Sequence, residues 1–138
     1  MRTTRNRKPS PESEAFTICL DIEPVPKPRM TQRDKWQKRS CVLRYRAFAD
    51  LVRSELARHD FTLPAEGLSV RFDMPMPVSW SKRRRNEMRG KPHRQRPDLD
   101  NMLKALTDAA MPDDDSGIWH IAEIEKRWAD EGSITLTK

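Results

Sequence analysis

Pro97 and Pro112 fence off a segment that has one good way to fold. Between them Leu99, Met102, Leu103, Leu106 and Ala110 recur at three- and four-residue spacing, the apolar stripe of an amphipathic helix. Proline lacks the amide proton a helix interior needs and pushes its predecessor toward extended geometry. The helix is therefore predicted to open at Asp98 and to stop near Met111.

The neighbouring segments supply its partners. Phe16, Ile18, Leu20 and Ile22 alternate with polar residues, as do Leu68, Val70, Phe72 and Met74; that is the period of half-buried strands. Ser40 is a plausible N-cap for a helix near 41–59, with Cys41, Tyr45, Phe48, Val52 and Leu56 as its core stripe. Residues 75–97, starting Pro75-Met76-Pro77, read as a long loop. After Pro112, Asp113-Asp114-Asp115 form a turn, Ile118 to Trp128 is strand-like, and a turn at Asp130-Glu131-Gly132 leads to a short strand with Ile134 and Leu136, the two strands being expected to pair as a closing hairpin. The order β-α-β-loop-α-β-β implies an α+β fold: a small two-layer domain over 14–138, with a mixed β-sheet and two main helices on one face. Residues 1–13 are basic and polar without an apolar run, which predicts a disordered tail and no secretory signal.

Charge divides the chain unevenly. Residues 1–97 hold 23 Lys/Arg against 11 Asp/Glu, whereas 98–138 hold 4 against 10. A basic body suits a polyanion, through steering and counterion release. No apolar stretch approaches the ~20 residues of a membrane span. Cys19 and Cys41 match no metal-ligand spacing and are expected to be reduced thiols. The expected location is the cytoplasm, with nucleoid-associated DNA as the expected polyanion.

The two charge regimes meet at Arg94-Gln95-Arg96-Pro97-Asp98-Leu99-Asp100, with Lys104 following. Eight Lys/Arg lie in 82–96, namely Lys82, Arg83, Arg84, Arg85, Arg89, Lys91, Arg94 and Arg96, and these are candidate phosphate contacts. Paired carboxylates suit Mg2+, which takes hard oxygen ligands together with waters and substrate phosphates. Asp98 and Asp100 also read as ordinary helix-start acids, capping or favoured by the dipole. Lys104 reads either as half of an i,i+4 pair with Asp100 or as a cation beside a scissile phosphate, and Asp108 extends that stripe. Asp113-Asp114-Asp115 read as a solvated turn or as acids sharing a cation. His59, His93 and His120 show no ligand spacing, and Trp36 and Trp80, each beside basic residues, suit base stacking or core packing equally.

Pro97-Asp98-Leu99-Asp100-Asn101-Met102-Leu103-Lys104-Ala105, then Asp108-Ala109, then Asp114-Asp115-Ser116-Gly117-Ile118 resemble the RusA family of Holliday junction resolvases, particularly its phage and prophage members. Ser79 to Arg85, Gly90-Lys91-Pro92-His93 and Lys27-Pro28-Arg29-Met30-Thr31 are similar to its basic segments. The resemblance covers roughly 24–128. It implies a homodimer that binds four-way junction DNA and nicks it symmetrically with Mg2+, for which Mn2+ can substitute. It further implies catalytic Asp98, Asp100, Asp115 and Lys104, metal ligation by Asp98, Asp100, Asp115 and Asp114, and DNA contacts from Lys27 and Arg29 besides the loop. Asp113 is an added acid, and the basic loop is longer than in compact members. A binding module that does not cut, and a nuclease for flaps or forks, are the competing expectations.

Overall fold

The computed structural model describes residues 16–29, 31, 33 and 39–138; the expectations for the tail 1–13 and for Trp36 lie outside them. The elements are β1 (Thr17–Leu20), α1 (Ser40–Arg58), β2 (Leu68–Pro75), α2 (Lys82–Met88), α3 (Leu99–Ala110), β3 (Ile121–Ala129) and β4 (Ser133–Thr137). Four strands form one mixed sheet in the order β1-β4-β2-β3. β4 runs antiparallel to both β1 and β2, and β2 runs parallel to β3. A parallel pair requires a crossover, and here the crossover carries α2, α3 and the acidic turn, so it holds every candidate catalytic group.

The alternations do what their period dictates. Ile18 and Leu20 of β1, Leu68, Val70, Phe72 and Met74 of β2, and Ile134 and Leu136 of β4 are buried. They join a single core with the apolar sides of α1 and α3, so the two-layer α+β reading holds. Met102 and Leu106 of α3 are fully buried, and truncating either to Ala costs about 2–5 kcal/mol.

Four local expectations need correction. The closing hairpin is not formed: β3 starts at Ile121, and β2 lies between it and β4, taking β3 in parallel and β4 antiparallel. The 75–97 segment contains α2: Ser81 caps it by accepting from the Arg84 N–H at 3.2 Å, and arginines are good helix formers. Helix α1 is capped at Arg39, with Ser40 its first residue. Cys41 is exposed and Val42 is buried in its place, because Val42, Tyr45, Ala49, Val52 and Leu56 keep the 3.6-residue period and Cys41 lies one residue off it.

The β3–β4 turn fits tightly against the segment after β1. A methyl group on Gly132 would meet the Cα of Glu23 at 2.9 Å, which only glycine avoids. Gly90 follows the C-cap of α2 at φ +81, a left-handed position that favours glycine, and its N–H donates to the Trp128 carbonyl at 2.8 Å.

Candidate active site

Helix α3 divides the site in two. Its N-cap is Asp98, whose side chain makes no capping bond among the described residues; the residue is exposed. On one side Asp100, Leu103, Lys104 and Thr107 face Asp115, Ser116, Ile118 and Ile121 across a cleft of about 380 Å3. On the other side Asp98 and Asn101 line a cleft of about 770 Å3 with Gln95, Arg96, His93 and Trp128. Asp100, Lys104 and Asp115 thus share one cleft, and Asp98 lines the other.

Lys104 is the hub of the smaller cleft. Its ammonium lies 3.4 Å from Asp115 and 3.1 Å from Asp108. These carboxylates, Asp108 first, raise its pKa, so it is a full cation at neutral pH. The i,i+4 pairing that Lys104 makes is with Asp108, where pairing with Asp100 was one expectation. Asp108 is gripped from its other side by Lys27, whose ammonium also lies 5.9 Å over the Tyr45 ring. Burial pushes the Asp108 carboxyl up, but bonds from Lys27 and Lys104 outweigh it and hold the group below the usual carboxylate range. Lys27, a candidate DNA contact, is thus held against Asp108.

The acidic turn sorts its three carboxylates. Asp114 accepts from the backbone N–H and the hydroxyl of Ser116, each at 2.9 Å, and these bonds lower its pKa. Asp115 alone of the three lines the cleft. Among the described residues no group of three or more His, Cys, Asp or Glu stands close enough together to hold a metal ion. Asp100 and Asp115 nevertheless fit Mg2+ as a donor set, since that ion commonly takes one or two carboxylates and completes its shell with water and phosphate.

The basic residues divide into committed and free. Arg89 binds Asp130 through two bonds of 2.8 Å. Arg84 lies 4.1 Å over the Trp80 ring, which packs 4.7 Å from Trp128. Arg85 donates to the Pro77 carbonyl and Arg83 to Glu87. The contacts of Arg84, Arg85 and Arg89 fasten α2 to its surroundings. The side chains of Arg29, Lys82, Lys91, Arg94 and Arg96 are exposed and make no hydrogen bond or ion pair among the described residues.

Two residues behind Asp98 carry roles that the charge pattern did not single out. Lys126 of β3 donates to the carbonyls of Gln95 at 2.7 Å and Pro97 at 2.6 Å, pinning the turn into α3. Burial pushes its ammonium down, and the charge of Asp98 partly offsets that. The signal was period 2: Lys126 shares a strand face with Ile124 and the buried Trp128. His93 is buried, with its ring 4.2 Å from Trp128 and its Nδ1 without a partner among the described residues. Burial, and then the charge of Lys126, lower its pKa, so it is neutral at pH 7.

No helix among the described residues is long and apolar enough to cross a membrane. No curated protein matches the chain. The family model described as endodeoxyribonuclease RusA matches residues 21–137, a span that includes both clefts, the exposed cations, the three helices and every strand but β1. The chain belongs to the RusA family of endodeoxyribonucleases.

Proposed function

We propose that this protein is a divalent-metal-dependent endodeoxyribonuclease that resolves four-way DNA junctions as a homodimer. The observation that carries the reading is the shared cleft of Asp100, Lys104 and Asp115 in a chain of this family, beside a set of uncommitted cations. Lys82, Lys91, Arg94, Arg96 and Arg29 would take the phosphate backbone, making affinity fall steeply with salt. Asp100 and Asp115 would hold the ion. A bound Mg2+ would supply Lewis acidity at the phosphate and lower the pKa of an attacking water.

The chain's own contribution is charge placement. Lys104, fully protonated and anchored by Asp108, offers a fixed cation where negative charge grows on the phosphate oxygens. Asp108 keeps its grip on Lys104 if Asp115 turns to an incoming ion, so the ammonium stays at the cleft. Counting clefts supports the homodimer: one copy holds one Asp100–Lys104–Asp115 group, and paired nicks across a two-fold junction would need two. Asp98 belongs to the catalytic set on its place in the family motif, from its own side of α3, and Asp114 acts by shaping the turn that presents Asp115.

The test is incubation of purified protein with end-labelled four-way junctions, flaps, forks and linear duplex, with Mg2+ and with EDTA. Symmetric nicks in the junction alone, lost in EDTA, are expected. Binding without any cut in Mg2+ or Mn2+ would establish the non-catalytic alternative. Preferred cutting of flaps or forks would reassign the substrate.

A further inference from the structure

We propose that the larger cleft, on the Asp98 side of α3, is a nucleoside subsite that receives one base of the cut strand, lifted out of its stack beside the scissile phosphate. The inference rests on the nuclease reading above and extends it to how the strand is held.

The volume of about 770 Å3 falls within the roughly 300–1,000 Å3 of small-ligand pockets. Its lining argues for an uncharged, planar guest. Met74, Trp128 and Pro24 give apolar surface. Gln95 and Asn101 give side-chain amides, which both donate and accept and so suit the edge of a base. The charges cancel: Arg44 and Arg96 are matched by Glu23 and Asp98, and Arg44 already lies 3.6 Å from Glu23. With Arg96 at the rim left for the backbone of the strand, the rest of the lining carries no excess positive charge to favour a phosphate over a base. His93, neutral and packed on Trp128, adds ring surface without charge.

Position supplies the second half of the argument. Asp98 and Asn101 face this cleft, and Asp100 and Lys104 face the other. The Cα atoms of Asp98 and Asp100 can be no more than about 7 Å apart, a gap that one unstacked nucleotide spans. A strand with its scissile phosphate at Lys104 would cross the N-terminus of α3 to set an adjacent nucleoside at the mouth of the larger cleft. Unstacking costs a few kcal/mol and least where pairing is already broken, as at a branch point.

The test uses four-way junctions carrying 2-aminopurine, or an abasic site, at each nucleotide flanking the cut. With wild-type protein in EDTA, 2-aminopurine fluorescence is expected to rise about threefold or more at one position. Gln95→Ala, at an exposed residue, should lower kcat/KM about tenfold on the intact junction yet match wild type on the junction abasic at that position. Pro77→Trp, filling the cleft from its exposed rim, should abolish the fluorescence rise. No rise at any flanking nucleotide would overturn the proposal, as would equal slowing by Gln95→Ala on intact and abasic substrates. A fluorescence rise without cutting in Mg2+ would support the subsite while defeating the nuclease reading, so the two failures are distinguishable.

Discussion

Replacing Asp108 by Asn removes one negative charge from between two ammonium groups and changes almost nothing in shape. Asp108 is only 18% exposed and Lys27 28%, so their pairing is partly withdrawn from water. Hydrogen bonds to charged groups contribute about 1.5–3 kcal/mol each. Asn keeps an acceptor oxygen, so the loss is the charged part of the Lys27 bond at the lower end of that range, about 2 kcal/mol. In a chain of this size that is a fall in Tm of about 7 °C. The pH dependence follows from the lowered folded pKa. Asp in an unfolded chain titrates near ~3.9, so the stabilisation is full above about pH 4 and is lost as pH falls through the lower folded value. Urea melts of wild type and Asp108→Asn should therefore differ by a constant amount between pH 7 and about pH 5, then converge in more acid solution. Asp50→Asn, at an exposed i,i+3 pair with Arg53, is the control and should change little. A gap below about 0.5 kcal/mol at pH 7, or one as wide at pH 3, would refute the reasoning.

Asp100→Asn should abolish nicking while leaving junction affinity within about twofold, because it removes a hard ligand and adds no repulsion to DNA; gel-shift and cleavage assays on one preparation decide this. Changing Lys91, Arg94 and Arg96 together to Gln should weaken binding and lower the slope of log K against log salt by about 0.9 for each phosphate no longer neutralised, whereas Arg84→Gln, whose guanidinium lies on Trp80, should cost stability more than salt dependence. Gly132→Ala should destabilise the fold by about 1–3 kcal/mol, since the clash is with the backbone of Glu23 and not with a movable chain end; a thermal melt unchanged from wild type would contradict that.

The fold was legible wherever one period dominated. Strict alternation placed β1, β2 and β4, and the Pro97–Pro112 bracket placed α3 within a residue at each end. Legibility failed where several short signals competed. In 75–97 the density of charge masked the Ser81 cap and the helix-forming arginines after it. In the site, charge alone could not separate arginines that fasten α2 from cations that remain free, because the difference lies in partners such as Asp130 and Trp80, remote or aromatic in sequence. The pairing of Lys27 with Asp108 spans 81 residues, and no local pattern announces it.

The Asp-x-Asp motif shows how helix geometry constrains a metal reading. Within a helix, residues three or four apart share a side. Asp100 and Lys104 obey this rule and share a cleft; Asp98 and Asn101 share the other. Asp98, the N-cap with extended backbone, reaches its own cleft from just outside the first turn. The partner of Asp100 is Asp115, delivered from beyond the far end of α3 by a turn that Pro112 begins and the Asp114–Ser116 bonds hold. Lys104 already lies against Asp115 as an internal cation, so an arriving ion must compete with it for that carboxylate. Removing the competitor separates the two roles: Lys104→Met should raise the affinity for Mn2+, read by calorimetry, even as cleavage is lost. If Mn2+ affinity falls with cleavage, Lys104 supports the ion site instead of contesting it.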